Sequence, residues 1–302
     1  MTQVIVPADS KTANIAGHGI LVSEEFALAP GIIIRPDHPH FNLQAVADGC
    51  GTLSEYAVVL SMMEFATFYL EIHEEAGGKE LLVKTWNSLW LFPLLAIACQ
   101  HPCASLYSWS GSQKVSFAVA TAHTAFRTPE SPIQASADQL AWARTNLSNF
   151  EAIQNFGTFT TALRSYTNAH HLFGYKARIM QLWSGIECLF MVSSEISRTL
   201  AMYSALLLEE DDANLRYKCF KEIKKEYGVR SKVVHGTIKD DDDLKEAYAR
   251  ASKLLARLLL RCVELSRVPT TEEFDRAALA GRVPESRLWD PGPHEPDPSN
   301  RF

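Results

Sequence analysis

The apolar positions in the second half of the chain recur at helical spacing. The longest stripe lies in residues 244–267, where apolar side chains are three or four positions apart and the basic ones fall outside the stripe. Similar spacing predicts a short helix at 271–279 and five helices upstream, at 137–154, 156–172, 176–192, 194–208 and 214–227. This half is therefore predicted to be almost wholly helical.

The first half has a mixed pattern that begins with a short strand and two helices. The run Ile32-Ile33-Ile34 stands between Gly31 and Pro36, as in a short buried strand. Residues 53–75 are apolar with spaced glutamates and precede Gly77-Gly78, so they are predicted to form a helix. Residues 79–100 indicate a second helix, bent or broken near Pro93.

A β-hairpin is predicted near the end of this half. Residues 104–109 and 115–121 both have strand composition, and a turn at 110–113 separates them. The alternation of Val115, Phe117 and Val119 favours a hairpin with one buried face.

Composition changes mark two boundaries. Residues 127–136, RTPESPIQAS, are polar and contain two prolines, and Ser136 is a suitable N-cap with Asp138 behind it. The tail after residue 268 ends in the proline-rich run PGPHEPDPSN and is expected to be partly disordered. The predicted regions are an α+β domain at 1–135, a helical domain at 136–268 and a tail at 269–302. The predicted fold is mainly α, with a C-terminal helical bundle after a smaller α+β N-terminal domain.

The bulk properties narrow the class of protein. The chain has 302 residues, six cysteines without a CxxC pair and a net charge of −6, so nucleic acid would need a local basic patch. Reduced cysteines fit a reducing cytosol. The N-terminus has no cationic start before an apolar run, and the apolar stretch 89–99 is too short to span a bilayer. We expect a cytoplasmic protein with no membrane partner.

Basic residues concentrate between positions 218 and 239. Acidic blocks flank this segment at 209–212 and 240–243, and the second has the composition of a helix start. A solvated helix face and a nucleic-acid patch both explain such a segment. Only Glu222 and Glu226 oppose its bases, which are Lys218, Lys221, Lys224, Lys225, Arg230, Lys232 and Lys239.

The run YGVRSKVVHG at 227–236 contains the residues of greatest chemical interest. Arg230 is permanently charged and His235 titrates near neutrality, as phosphodiester cleavage without a metal requires. The run is placed at a junction between two helices, where a histidine often has only a structural role. Val233 and Val234 are predicted to be core residues.

Glu187 lies among apolar residues on a predicted helix, where an unpaired carboxylate would be costly. It is expected to pair either with Arg230 or with another base, such as Arg178 or Arg198. Trp183, one turn earlier, is expected to pack in the core.

Three segments together resemble the HEPN family of helical ribonuclease domains, and its Apea-like subfamily in particular. They are YGVRSKVVHG at 227–236, LWSGIECLF at 182–190 and EISRTLAMYSALLL at 195–208. The arginine and histidine of the family signature match Arg230 and His235, with four residues between them. The resemblance covers roughly 158–266 and leaves residues 1–135 without a recognised relative.

This resemblance implies a helical bundle that forms a homodimer and cleaves RNA without metal or cofactor. His235 would act as the base, Arg230 would stabilise the transition state, and Glu187 would orient Arg230. Ser231, Lys232 and Lys225 would bind the substrate. Relatives of this kind resemble toxins and anti-phage defence effectors, so a regulatory or trigger protein or ligand is expected, with 1–135 as the sensor.

Two other functions stay open at this stage. A non-catalytic HEPN fold would serve as a dimerisation or RNA-binding module in a larger assembly, and a small-ligand sensor would have its pocket in the N-terminal domain. Other chemistry has weaker support. His38-Pro39-His40 has no third metal ligand at a suitable spacing, and neither a GxSxG elbow nor a GxxxxGK[ST] phosphate loop occurs.

Overall fold

A computed structural model describes residues 4–36, 39–111, 115–120, 130–237 and 240–280 of the chain. The chain divides into two compact units. The first comprises residues 1–147 and 166–178, and the second comprises 148–165 and 179–302. The described part is mainly helical, as the sequence predicts, and a six-stranded sheet lies in the first unit.

The sheet of the first unit is antiparallel throughout, with strand order β3-β4-β5-β1-β6-β7. Strands β2 and β8 form a separate parallel pair. The strands are β1 (Thr12–His18), β2 (Ile20–Leu21), β3 (Phe26–Ala29), β4 (Ile32–Arg35), β5 (Phe68–His73), β6 (Ala104–Ser110), β7 (Ser116–Val119) and β8 (Ile133–Gln134). The predicted strand at Ile32 and the hairpin of β6 and β7 are both confirmed.

Strand β5 corrects one sequence prediction. The helix predicted over 53–75 ends at Met63, and the chain then enters β5. Phe68, Leu70 and Ile72 are fully buried on one face, and the alternate side chains point to the other face. On that other face Glu71 pairs with Arg35 of β4 at 2.9 Å. A period of two over six residues thus outweighs the apolar run that suggested one long helix.

Five helices belong to the first unit: α1 (Leu43–Gly49), α2 (Leu53–Met63), α3 (Gly78–Ser88), α4 (Leu91–Cys99) and α5 (Ala137–Thr145). The predicted helix over 79–100 is broken between Ser88 and Leu91 and not at Pro93. Pro93 falls in the first turn of α4, where the missing N–H would have had no intrahelical partner. The predicted cap of α5 is confirmed, because Ser136 and Gln139 form a capping box.

One stretch of the described residues, Gly78–Cys99, is long and apolar enough to cross a membrane if α3 and α4 are counted together. More than half of it is buried inside the fold, as in a core helix. The stretch of 89–99 considered in the sequence is only the second part of it.

The described helices of the second half are α6 (Leu147–Ile153), α7 (Gly157–Ala169), α8 (Tyr175–Phe190), α9 (Ile196–Leu208), α10 (Ala213–Val234), α11 (Asp241–Glu264) and α12 (Thr271–Ala280). The predicted helix over 137–154 is therefore two helices, α5 and α6. The stripe of α11 is buried from Leu244 to Val263, as predicted. The acidic block at 240–243 begins this helix, with Asp240 as its N-cap. The predicted tail after residue 280 lies outside the described residues.

The core of the second unit depends on a close approach between helices at Gly185. A β-carbon at this position of α8 would lie 2.7 Å from Ser165 Cβ and 3.0 Å from Leu255 Cδ2. Glycine thus allows α8 to pack against α7 and α11 here. The helix that contains Glu187 is therefore tightly packed at Gly185.

Candidate active site

Helix α10 includes most of the YGVRSKVVHG segment without a break. It begins at the N-cap Asp212, whose carboxylate accepts hydrogen bonds from Asn214 N–H and Leu215 N–H at 2.7 and 3.1 Å. It ends at the C-cap His235, whose N–H donates to Ser231 O at 3.1 Å. The predicted junction is thus corrected: Arg230 is inside the helix and only His235 is at its end.

The continuous helix separates Arg230 from His235 within one chain. Five residues are about 500° of helical rotation, so the two side chains leave the axis about 140° apart. Arg230 shares the packed face of α10 with the buried residues Cys219 and Ile223, whereas His235 is exposed. One chain therefore does not bring the two predicted catalytic groups together.

Glu187 and Arg230 form an ion pair across α8 and α10. Arg230 Nη2 lies 3.1 Å from Glu187 Oε1, and the Tyr227 hydroxyl donates to the same oxygen at 3.2 Å. Of the two pairings that the sequence left open, the structure contains the one with Arg230. The other candidates have different partners, since Arg178 pairs with Glu130 and Arg198 with Glu195.

The guanidinium of Arg230 is fixed on a second side by aromatic packing. Its carbon lies 5.4 Å from the ring centre of Tyr227, within cation–π range. Trp183 meets that ring edge-on at 5.2 Å and is 1% exposed, so its predicted core role is confirmed. Arg230 Nε is buried and has no hydrogen-bond partner among the described residues. The side chain is therefore held in place with part of its donor capacity unused.

The Tyr227 hydroxyl is kept protonated by its surroundings. Burial raises its pKa above the ordinary 10.0, and the nearby Glu187 carboxylate raises it further, while Arg230 acts in the opposite direction. A protonated phenol donates to Glu187, and the same carboxylate forms the ion pair with Arg230. The three groups form a small network that joins α8 to α10.

The predicted substrate-binding residues lie towards the end of α10. Ser231 is half-buried, whereas Lys225 and Lys232 are exposed. One core prediction here is wrong: Val233 is 3% exposed, but Val234 is 44% exposed. Val234 is the last helical residue and turns away from the packed face, which the apolar pair in the sequence did not reveal.

Most of the charged side chains that are exposed on α10 are basic. Lys218, Lys221, Lys224, Lys225 and Lys232 are all exposed. Glu226 pairs with Arg250 of α11 at 2.9 Å. The exposed Glu222 leaves the helix about 100° from Lys221, and the half-buried Glu226 leaves it about 140° from Lys221. The positive charge of the segment is therefore concentrated on one face.

Sequence reasoning missed three aromatic residues of α10. Tyr227 holds the ion pair, and Tyr217 and Phe220 stand with parallel rings 6.4 Å apart on the outer side. The available signal was their spacing: Tyr217 stands four residues before Lys221, and Phe220 stands four before Lys224.

Metal chemistry has no candidate centre in the described ranges, where no three histidine, cysteine or acidic side chains cluster. His38 of the His38-Pro39-His40 motif lies outside those ranges. Searches with the whole chain found no matching protein-family model, no matching curated protein and no matching solved structure.

Proposed function

We propose that this protein is a metal-independent endoribonuclease of the HEPN type, active as a homodimer. The observation that carries the proposal is the pairing of Glu187 with Arg230 at 3.1 Å, two turns or less from an exposed His235. These are the three residues that the resemblance assigns to catalysis. The His235 side chain makes no hydrogen bond to another described residue, so it is available to a substrate.

The chemistry follows from the two groups. Neutral His235 removes the proton from a ribose 2′-hydroxyl, and the oxygen forms a bond to the adjacent phosphorus. The bond from phosphorus to the 5′-oxygen breaks, that oxygen takes a proton from water, and the protonated His235 returns its proton to the solvent. Arg230 stabilises the extra negative charge of the transition state. The products are a 2′,3′-cyclic phosphate and a 5′-hydroxyl, and DNA lacks the required nucleophile.

A homodimer would bring together the arginine and histidine side chains that α10 of one chain directs to different sides. Because Arg230 and His235 diverge by about 140° on a regular helix, one chain directs them to different sides. A twofold axis near the end of α10 supplies two arginines and two histidines around one groove. Ser231, Lys225 and Lys232 then contact phosphates on either side of the cleaved linkage.

Cleavage assays test this proposal. The purified protein is incubated with single-stranded RNA in excess EDTA, beside the same strand with 2′-deoxyribose throughout. We expect RNA to be cut and the deoxy strand to survive. His235→Ala and Arg230→Ala should each lower the rate by about 100-fold or more. The matched control is Arg276→Ala, a surface arginine of α12 that pairs with Glu272 among the described residues and should cut as the parent does. A requirement for added metal would contradict the proposal.

One observation favours the non-catalytic alternative. Glu187, Arg230 and Tyr227 join α8 to α10, and a purely structural clamp would use the same contacts. In that case the protein is a HEPN-like dimerisation or RNA-binding module. Arg230→Ala would then lower the unfolding free energy, and no cleavage would be found in the parent or in His235→Ala.

A nuclease of this kind needs restraint, because uncontrolled cleavage of RNA harms the host. We assign this regulatory role to the first unit, whose sheet and helices contain none of the proposed catalytic residues. A toxin or an anti-phage effector, released by a protein or a small ligand, fits this arrangement. A cytoplasmic location follows from an RNA substrate.

A further inference from the structure

We infer that the outer face of α10 is a binding track for single-stranded RNA that leads to His235. The inference rests on the proposed function and adds to it the strandedness and path of the substrate. Stacked aromatic rings form one end of the track, lysines flank its length and the proposed base forms the other end. Its residues are Tyr217, Phe220, Lys221, Lys224, Gly228, Ser231, Lys232 and His235.

The track follows from helical geometry. Tyr217, Lys221, Lys224, Gly228, Ser231 and His235 succeed one another at alternating intervals of four and three residues. Eighteen residues separate Tyr217 from His235, which is five full turns and about 27 Å of rise. These positions therefore share one side of α10, opposite to the face that packs through Cys219 and Ile223. A few extended nucleotides would cover this length.

The aromatic end offers surfaces on which bases stack. Tyr217 is 63% exposed, and its ring lies nearly parallel to that of Phe220, with 16° between the planes. Beside them is a groove of roughly 290 Å³ between α9, α10 and α12. Its lining includes the apolar side chains Met202 and Leu206 and two arginines, Arg198 and Arg216. A flat aromatic ring attached to a phosphate matches such a lining.

Lysines accompany the rings. Lys221 Nζ lies 5.3 Å from the ring centre of Tyr217, and Lys224 Nζ lies 5.9 Å from that of Phe220. Within the described ranges, neither lysine has a carboxylate partner. Alternating rings and cations are what a single strand requires, because bases stack while phosphates are neutralised. The protein as a whole carries a charge of −6, so binding of a polyanion would depend on this local positive charge.

Gly228 leaves the middle of the track open. It lies inside α10, where glycine is a poor helix former, and no heavy atom lies within 4 Å of the place where a β-carbon would stand. The packing of the folded chain therefore gives no reason for glycine here. A small residue at this point lets a sugar–phosphate backbone approach the helix closely.

A second copy of the chain is a poorer occupant. In a twofold-symmetric contact the same surface meets itself, so Lys221 and Lys224 would face the lysines of the other copy. Like charges in such a contact are repulsive. A partner subunit can thus meet α10 at its His235 end without covering the track.

Binding is measured on the full-length His235→Ala protein, which keeps the RNA intact, with a fluorescein-labelled 12-nucleotide single strand and fluorescence anisotropy over a salt series. Adding Tyr217→Ala and Phe220→Ala to this protein should raise the Kd by about 5- to 100-fold and leave the slope of log Kd against log salt unchanged. Adding Lys221→Ala and Lys224→Ala should weaken binding and lower the slope of log Kd against log salt by about 1 to 2. The matched control adds Lys245→Ala and Lys253→Ala, which remove two exposed lysines of α11, and should bind as the His235→Ala protein does.

Rescue separates stacking from folding. Tyr217→Phe retains the ring and should bind as the parent does, and a duplex of the same sequence should bind more weakly than the single strand. Unchanged affinity in the ring variants overturns the inference. If the ring variants differ from the parent in the mass of the assembly in solution while their RNA affinity is unaltered, the inference is also overturned, because the face would then be a protein interface.

The result is distinguishable from a failure of the proposed function. If the parent protein binds RNA through the track and never cleaves it, the nuclease proposal is wrong and the track stands. If the parent cleaves RNA, and the ring substitutions change neither binding by the His235→Ala protein nor cleavage by the parent, the track is wrong and the nuclease proposal stands.

Discussion

Arg230 shares its guanidinium between the Glu187 carboxylate and the face of Tyr227, and both contacts restrict its movement. A free arginine on a helix surface would lose more rotamer freedom when it meets a transition state. The ion pair is three-quarters buried on both sides, with 26% of Arg230 and 24% of Glu187 exposed. Removing one partner would leave the other charge poorly solvated, so this pair is more sensitive to substitution than a surface pair.

Glu187→Gln should reveal this role. It removes the charge that faces Arg230 and keeps the shape of the side chain. We expect the free energy of unfolding, measured by urea denaturation, to fall by about 1 to 2 kcal/mol. Cleavage should fall as well, because Arg230 is no longer held.

Glu195→Gln is the matched control for this substitution. Glu195 pairs with Arg198 at 3.7 Å, and both side chains are about 70% exposed. This variant should change the unfolding free energy by no more than a few tenths of a kcal/mol. Equal stability of the two variants would show that the Glu187 pair contributes nothing beyond a surface contact.

The sequence predicted residues at this scale unevenly. A carboxylate among apolar residues demanded a partner, which made Glu187 a candidate, and the structure supplies Arg230. The role of Tyr227 was not accessible, because it depends on α8 and α10 placing residues forty positions apart in contact. Val234 was misplaced for a related reason: an apolar pair at a helix end does not show which member faces the core.

Among the helices and strands, the spacing of apolar residues correctly predicted α11, whereas it predicted a helix where β5 is a strand. The stripe of α11 continues over six turns, so its period is unambiguous. The six residues of β5 follow α2 without a strong breaker, and their alternation is visible only once the helix is assumed to stop at Met63. The predicted end of α10 at residue 227 was too early, because the helix continues through Gly228 to Val234.

Two helical glycines in the second unit have opposite expected responses to alanine. Gly185→Ala places a β-carbon 2.7 Å from Ser165 Cβ, so it should lower the unfolding free energy by about 1 to 3 kcal/mol. Gly228→Ala fills open space in a regular helix, so it should raise the unfolding free energy by about 0.5 to 1 kcal/mol.

Urea denaturation of both variants beside the parent checks this pair. Each protein carries the same chemical change in a helix interior, so any difference comes from the surroundings of the glycine. Destabilisation by Gly228→Ala would mean that its β-carbon meets a neighbour, and the open approach to the track would then be absent.

The proposed chemistry depends on the twofold symmetry of a homodimer. A single α10 directs Arg230 to its packed side and His235 to solvent, and the helix continues without a break between them. The sequence alone did not determine how far Arg230 and His235 diverge, because this depends on whether a helix boundary falls inside the motif. With the boundary at His235, the proposed site would need residues from two chains.

Mixing inactive variants tests whether the site is shared. Arg230→Ala and His235→Ala proteins, carrying different tags, are combined under conditions that allow subunit exchange, and the mixed dimers are purified through both tags. Each mixed dimer has one intact Arg230 and one intact His235, on different chains. Because the two groups are proposed to act across the subunit boundary, we expect RNA cleavage in EDTA to recover well above that of either parent variant.

The control pairs Arg230→Ala with the double variant Arg230→Ala/His235→Ala. Its mixed dimer has one histidine and no arginine at either site, so it should stay inactive although subunit exchange is the same. Recovery in this control would mean that Arg230 is dispensable and that His235 acts without it. Failure of recovery in the first mixture, with exchange verified by the two tags, would place both groups in one chain. That outcome would require α10 to unwind within the motif, since a continuous helix holds Arg230 and His235 about 140° apart.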